Sequence, residues 1–127
     1  MVGKSERDQP LRGMRVLIAE DEIFIAMSLE DTLRDAGADI VHAATLTTAL
    51  ERAKDHSLSL AVLDVRLGRQ STEAVADVLA ARSVPFIFYS GNALPAPVRD
   101  KHPNARVLLK PVKEEAFLET VVAITRH

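Results

Sequence analysis

Four places along the 127-residue chain carry charged or hydroxyl groups directly after short apolar segments. In chain order they are Glu20-Asp21-Glu22, Asp64, Ser90 and Lys110. Carboxylates brought about 4 Å apart repel by about 4 kcal/mol at an effective dielectric of about 20, so such a cluster needs cations. Lys110 would supply one charge. Mg²⁺ would suit the second, because it binds one or two carboxylates and leaves room for a phosphate.

The apolar segments that precede these groups are typical of strands covered on both faces. They are residues 16–19, 39–44, 60–64, 85–89 and 106–109. Amphipathic stretches alternate with them, which indicates five βα units and an α/β fold with a parallel sheet. The carboxyl ends of parallel strands lie along one edge, so the reactive groups are predicted to meet there.

The helical stretches differ in regularity. Ile25, Leu29 and Leu33 form one apolar stripe, and Gly37 follows at a position that favours a left-handed backbone. The fourth connection carries Pro95, Pro97 and Pro103, so its helix is expected to be short or broken.

Composition limits the class of protein. The formal charge is −2, cysteine is absent and 47% of residues are hydrophobic, which suits one compact domain without thiolate metal sites. Without a long basic stretch, direct nucleic-acid binding is not expected. With no signal peptide or apolar span, we expect a cytoplasmic protein with no membrane contact. Residues 1–13 are polar and predicted to be a flexible tail.

Four motifs together resemble the receiver domain of bacterial response regulators, from Arg15 to the end of the chain. They are VLIAEDE, VLDVRLG, FYSGN and LLKPV. The resemblance implies a flavodoxin-like, doubly wound (βα)5 domain over residues 14–127, with a five-stranded parallel sheet in the order 2-1-3-4-5. It also implies two-component signal transduction.

The same resemblance implies a role for each residue. Asp64 would accept a phosphoryl group from a sensor histidine kinase or phosphotransfer protein, assisted by Lys110 and Ser90. The Mg²⁺ ligands would be Glu20, Asp21, Asp64 and the backbone carbonyl of Arg66. The conformational switch would involve Ser90, Gly91, Lys110 and Pro111. Such a domain catalyses only its own phosphorylation and dephosphorylation.

Several positions depart from the family pattern. Val107 stands where many members have a switching aromatic residue, and Gly68 stands where proline is frequent. The sequence Phe88-Tyr89-Ser90-Gly91 resembles an alphaproteobacterial subgroup of single-domain receivers with a Phe-x-Thr/Ser-Gly motif. We therefore expect a mobile fourth helix around residues 93–103. We also expect no attached output domain, a monomer or weak dimer, and output through a downstream protein.

Three alternatives remain open at this point. A phosphorylation-independent docking module would keep the fold without the chemistry. An Asp-nucleophile phosphohydrolase would need an acid two residues after Asp64, where this chain has Arg66, which cannot donate a proton. A flavin mononucleotide carrier would need a hydroxyl- and glycine-rich loop after the first strand, where the acidic run would repel phosphate.

Overall fold

The computed structural model describes residues 9–125, which form one five-stranded parallel sheet with helices on both faces. The sheet strands are β1 (Arg15–Ala19), β2 (Asp39–Ala43), β3 (Leu60–Asp64), β6 (Phe86–Ser90) and β7 (Arg106–Leu109). Their order is β2-β1-β3-β6-β7, which confirms the predicted order because β6 and β7 are the fourth and fifth strands of this sheet.

The helices largely follow the predicted units. They are α1 (Ile23–Asp35), α2 (Leu46–Arg52), α3 (Glu73–Ala81), α4 (Ala96–Lys101) and α5 (Glu114–Thr125). The six residues of α4 confirm the short helix expected from the prolines. No helix within residues 9–125 is both long and apolar enough to cross a bilayer.

A small hairpin follows β3 and was not predicted. It consists of β4 (Arg66–Leu67) and β5 (Gln70–Ser71), which pair antiparallel. Leu67 is buried, whereas Arg66 and both residues of β5 are exposed. Two-residue strands are too short to show a periodic pattern in sequence.

Apolar side chains fill both faces of the sheet. Leu17, Leu63 and Phe88 belong to one core, which α2, α3 and α4 also contact. Ile18 and Ile87 point to the opposite core, which α1 and α5 cover. Because side chains alternate along each strand, a continuous apolar run supplies both cores at once. The strands are parallel, so their carboxyl ends lie along one edge of the sheet.

The segment before β1 packs beneath α1. Leu11 is fully buried, and its amide donates to the carbonyl of Ala36. Gly37 has a φ of +103°, as its predicted position after the helix requires, and a Cβ there would lie 3.0 Å from the Arg12 backbone nitrogen. The predicted tail over residues 1–13 falls largely outside the described residues, and its boundary stays a prediction; residues 9–13 are attached to the domain through Leu11.

Candidate functional site

Three carboxylates meet at the carboxyl edge of the sheet. Glu20 and Asp21 directly follow β1, and Asp64 ends β3, which is the next strand in the sheet. Each of the three offers a carboxylate oxygen, and these oxygens lie within 4.8 Å of one another. Glu20 is buried, Asp64 is partly exposed and Asp21 is exposed, so the cluster opens to solvent on one side.

Lys110 is the cation of this cluster. Its Nζ lies 2.9 Å from Asp64 Oδ2 and 3.4 Å from Glu20 Oε2, and 5.2 Å from the centre of the Tyr89 ring. Burial opposes its charge, but the hydrogen bond and negative charge of Asp64 outweigh that effect and raise the pKa of Lys110. Lys110 therefore stays protonated and bridges the two carboxylates from the end of β7.

Glu20 is the most perturbed acid of the site. Burial and its contact with the Asp64 carboxylate raise the pKa of Glu20 to about 8, against the lowering effect of Lys110 and of the Glu22 amide. A cluster of three carboxylates with one ammonium is thus short of positive charge. Hard oxygen donors in such a cluster suit Mg²⁺, which supports the metal expected from the sequence.

Backbone amides orient each carboxylate. The Glu22 amide donates to Glu20 Oε1 at 3.3 Å, and the Arg66 amide donates to Asp64 Oδ1 at 3.2 Å. The amide of Gly68 donates to Asp21 Oδ2 at 2.7 Å. These charge-assisted bonds restrict the rotation of the three carboxylates.

Ser90 and Asp64 face the same cavity of about 300 Å³. Its lining is Asp64, Val65, Arg66, Ser90, Gly91, Asn92, Ala93 and Pro95. The Ser90 hydroxyl is buried and accepts a hydrogen bond from the Asn92 amide at 3.1 Å. A residue with a hydroxyl and a residue with a carboxylate therefore line one cavity that is large enough for a phosphoryl group.

The remaining predicted residues lie around this centre. Arg66 and Gly91 are exposed beside the cavity. Pro111 is exposed and follows Lys110 through a cis peptide bond. Val107 packs partly buried against the core below α4, so no aromatic ring occupies the position of the usual family switch. The structure thus brings the predicted site residues to one edge of the sheet, and their roles stay predictions.

Sequence reasoning missed two supporting side chains. The buried hydroxyl of Thr72 donates to the Asp64 carbonyl at 2.6 Å and fixes the end of β3. His42 Nε2 lies 2.9 Å from the Glu20 carbonyl and holds the end of β1 in the same way. Both act on backbone atoms of residues distant in sequence, and no local pattern signals such a contact.

A cluster of charged side chains fastens α4 to α3. Asp77 lies 2.7 Å from Lys101 Nζ through Oδ2 and 2.9 Å from His102 Nε2 through Oδ1. Partial burial opposes its charge, but these two partners outweigh burial and lower the pKa of Asp77. The carboxyl end of α4 is therefore held, while its amino end adjoins the cavity at Pro95.

The doubly wound sheet and the acidic cluster at its carboxyl edge define a receiver-type α/β domain. Comparisons with known proteins agree. The solution structure of SdrG from Sphingomonas melonis is 35% identical, with 87% of this chain and 95% of that chain covered at a TM-score of 0.72. A response regulator receiver protein from Sinorhizobium medicae is 27% identical, with 91% and 95% covered and a TM-score of 0.76.

Among curated proteins, the transcriptional regulatory protein PdtaR of Mycobacterium tuberculosis is 37% identical over 75 residues. That match covers 58% of this chain but only 37% of PdtaR, so the chain spans little more than a third of that relative. No protein-family model matches the sequence. The chain belongs to the receiver domains of two-component response regulators.

Proposed function

We propose that the chain accepts a phosphoryl group on Asp64 from the phosphohistidine of a sensor kinase or phosphotransfer protein, with Mg²⁺ bound beside it. The observation that carries this proposal is the Asp64 carboxylate itself, held 2.9 Å from Lys110 and with carboxylate oxygens of Glu20 and Asp21 within 4.8 Å. A carboxylate is a competent nucleophile, and this one borders a cavity of phosphoryl size.

In the proposed step, a carboxylate oxygen of Asp64 attacks phosphorus while the phosphorus–nitrogen bond to the donor imidazole breaks. The imidazole leaves with the bonding electron pair and takes a proton from solvent, and an acyl phosphate forms on Asp64. No general base is needed. Lys110 stabilises the negative charge that spreads over the phosphoryl oxygens, and the Ser90 hydroxyl can donate to one of them.

Glu20, Asp21, Asp64 and the backbone carbonyl of Arg66 would hold the metal. Bound Mg²⁺ would neutralise part of the phosphoryl charge in the transition state. The orienting amides leave carboxylate oxygens available for this purpose, and the donor set consists of hard oxygen ligands. The domain would catalyse only its own phosphorylation and dephosphorylation.

Output would pass to a downstream protein through the surface that α4, β7 and α5 form next to the site. Ser90 and Lys110 end the two strands beside this surface, so a new phosphoryl group would act on it directly. Rearrangement of the segment around residues 90–105 would carry the signal, since Val107 provides no ring to swing inward. We propose cytoplasmic localisation and a monomer or weak dimer for this protein.

Intact mass spectrometry after incubation with acetyl phosphate and Mg²⁺ tests the proposal. We expect one phosphoryl adduct on the wild-type protein, none on Asp64→Asn and none after chelation of the metal. Asp55→Asn is a matched control, because Asp55 lies in the connection between α2 and β3, which enters β3 at the end opposite to Asp64. Absence of an adduct in rapidly quenched wild-type samples would favour the docking module, and rapid turnover of small phosphate esters would favour the phosphohydrolase.

A further inference from the structure

The turn of the β4–β5 hairpin contacts the acidic cluster. Pairing of Arg66 with Ser71 and of Leu67 with Gln70 leaves Gly68 and Arg69 as a two-residue turn. Gly68 has a φ of +62°, and Arg69 does not share this positive value. Glycine at the first position of a two-residue turn is typical of hairpins whose twist matches that of the strands. The turn directs the Gly68 amide at Asp21 Oδ2, 2.7 Å away.

Residue 68 is one of the positions at which this chain departs from the pattern of the family it resembles, in which proline is frequent there. A proline could not make this contact, because it has no N–H and its ring holds φ near −65°. The exchange of proline for glycine therefore changes two properties together. The backbone becomes able to form the turn, and a hydrogen-bond donor becomes available opposite the metal-site carboxylate.

The orientation of the Asp21 side chain depends on the Gly68 amide more than the orientations of Glu20 and Asp64 depend on their own amide donors. Glu20 and Asp64 each have an amide donor and also contact Lys110. Within residues 9–125, the Gly68 amide is the single hydrogen-bond partner of the exposed Asp21 side chain. Without it, an exposed aspartate would lose its rotational freedom only when the metal binds, and that entropy cost would weaken the metal site.

The hairpin is rigidly joined to β3. Leu67 is buried, the Thr72 amide donates to the Val65 carbonyl at 2.9 Å, and the Thr72 hydroxyl donates to the Asp64 carbonyl. The donor for Asp21 is therefore built on the strand that ends in Asp64. The hairpin therefore fixes the position of the Asp21 carboxylate relative to that of Asp64.

We propose that Gly68 is a positioning residue for Mg²⁺ binding: its amide fixes one oxygen of Asp21 so that the other is presented to the metal. The inference rests on the proposed function, in which Asp21 is a metal ligand. Groups that hold a metal ligand in place commonly change metal affinity by about 10-fold to 100-fold when they are removed.

Titration of the 127-residue chain with Mg²⁺ alone, followed by amide NMR, tests the proposal. Gly68→Pro removes the N–H donor. Gly68→Asn keeps the N–H, and asparagine is, after glycine, among the residues that best tolerate a positive φ. We expect about 10-fold weaker binding for Gly68→Pro and near wild-type binding for Gly68→Asn. Gly13→Pro is the matched control, because Gly13 has a φ of +84°, open space around it and a place at the opposite end of β1.

A second measurement needs no proline variant. We expect the Gly68 amide to exchange its hydrogen slowly in the metal-free protein. In Asp21→Ala the acceptor is absent, and the same amide should exchange rapidly. Equal Mg²⁺ affinity of folded Gly68→Pro and wild type would overturn the inference, as would equal weakening by proline and asparagine or rapid exchange of the wild-type Gly68 amide. Those results leave the proposed function intact, whereas a wild-type protein that binds no Mg²⁺ would overturn both.

Discussion

Replacement of Lys110 by methionine isolates the charge of the site, because methionine keeps much of the side-chain volume. At an effective dielectric of about 20, unit charges separated by the 2.9 Å of its contact with Asp64 attract by about 6 kcal/mol. The contact with Glu20 at 3.4 Å contributes less than a full charge pair would, because the raised pKa of Glu20 reduces its negative charge. Desolvation of the ammonium and solvent access to a side chain that is 21% exposed offset most of this attraction. We expect Lys110→Met to lower the metal-free free energy of unfolding by about 2 kcal/mol.

This loss converts into a measurable melting shift. About 2.1 cal/mol/K of unfolding entropy per residue gives about 0.27 kcal/mol/K for 127 residues, so the melting temperature should fall by about 7 °C in chelator. Mg²⁺ should then stabilise Lys110→Met more than wild type, because the metal faces the same carboxylates without a competing ammonium. Mg²⁺ at ten times the dissociation constant of the wild-type protein stabilises the wild type by about 1.4 kcal/mol. Any larger stabilisation of Lys110→Met at the same Mg²⁺ concentration measures how strongly the ammonium competes with the metal.

Lys113→Met is the matched control for this experiment. Lys113 is exposed three residues further along the chain, and its side chain has no hydrogen bond or ion pair within residues 9–125. Its replacement should leave both the metal-free melting temperature and the response to Mg²⁺ unchanged. If Lys110→Met melts like this control, or gains no more from Mg²⁺ than wild type, the electrostatic account of the site is wrong.

Three further results are expected. Thr72→Val should cost about 1–2 kcal/mol in urea unfolding, since it leaves the Asp64 carbonyl without its buried donor, and an unchanged midpoint would contradict this. Because the pKa of Asp77 is lowered below 3.8, its ion pairs stabilise the fold above about pH 4 and lose that effect as pH falls through the folded value. Asp77→Asn should therefore speed hydrogen exchange in α4 at pH 7 and reduce the loss of stability between pH 5 and pH 3 relative to wild type, whereas Asp100→Asn should do neither. A phosphoryl mimic on wild-type protein should change exchange within residues 90–105, and identical exchange with and without the mimic would exclude this segment as the switch.

The centre of the sheet was predictable because its strands β1, β3 and β6 are buried on both faces. The run from Leu60 to Leu63 is apolar throughout, and both faces of β3 lie in a core. An uninterrupted apolar run is the pattern that burial on both faces requires. Once the strands are parallel, Asp64 and Lys110 must come to the same edge. The cluster of carboxylates and its ammonium therefore followed from chain order alone.

The geometry within the cluster was not predictable in the same way. The Gly68 amide reaches Asp21 across 47 positions of sequence through a hairpin whose strands have two residues each. A glycine followed by one turn residue between Leu67 and Gln70 is the signal that could have indicated this hairpin. The contact of Asp77 with His102 depends on how α4 packs on α3, which a six-residue helix with proline in its first turn does not encode locally.

The position of β7 gives the site a particular dynamic character. β7 is a four-residue strand at the margin of the sheet, and among residues 9–125 it pairs with β6 alone, yet Lys110 directly follows its last residue. Elements held by few buried contacts open at lower free energy than central ones, so detachment of β7 would withdraw the ammonium while β1 and β3 kept the carboxylates in place. We expect such an opening to leave the acidic cluster without its cation while the domain stays folded.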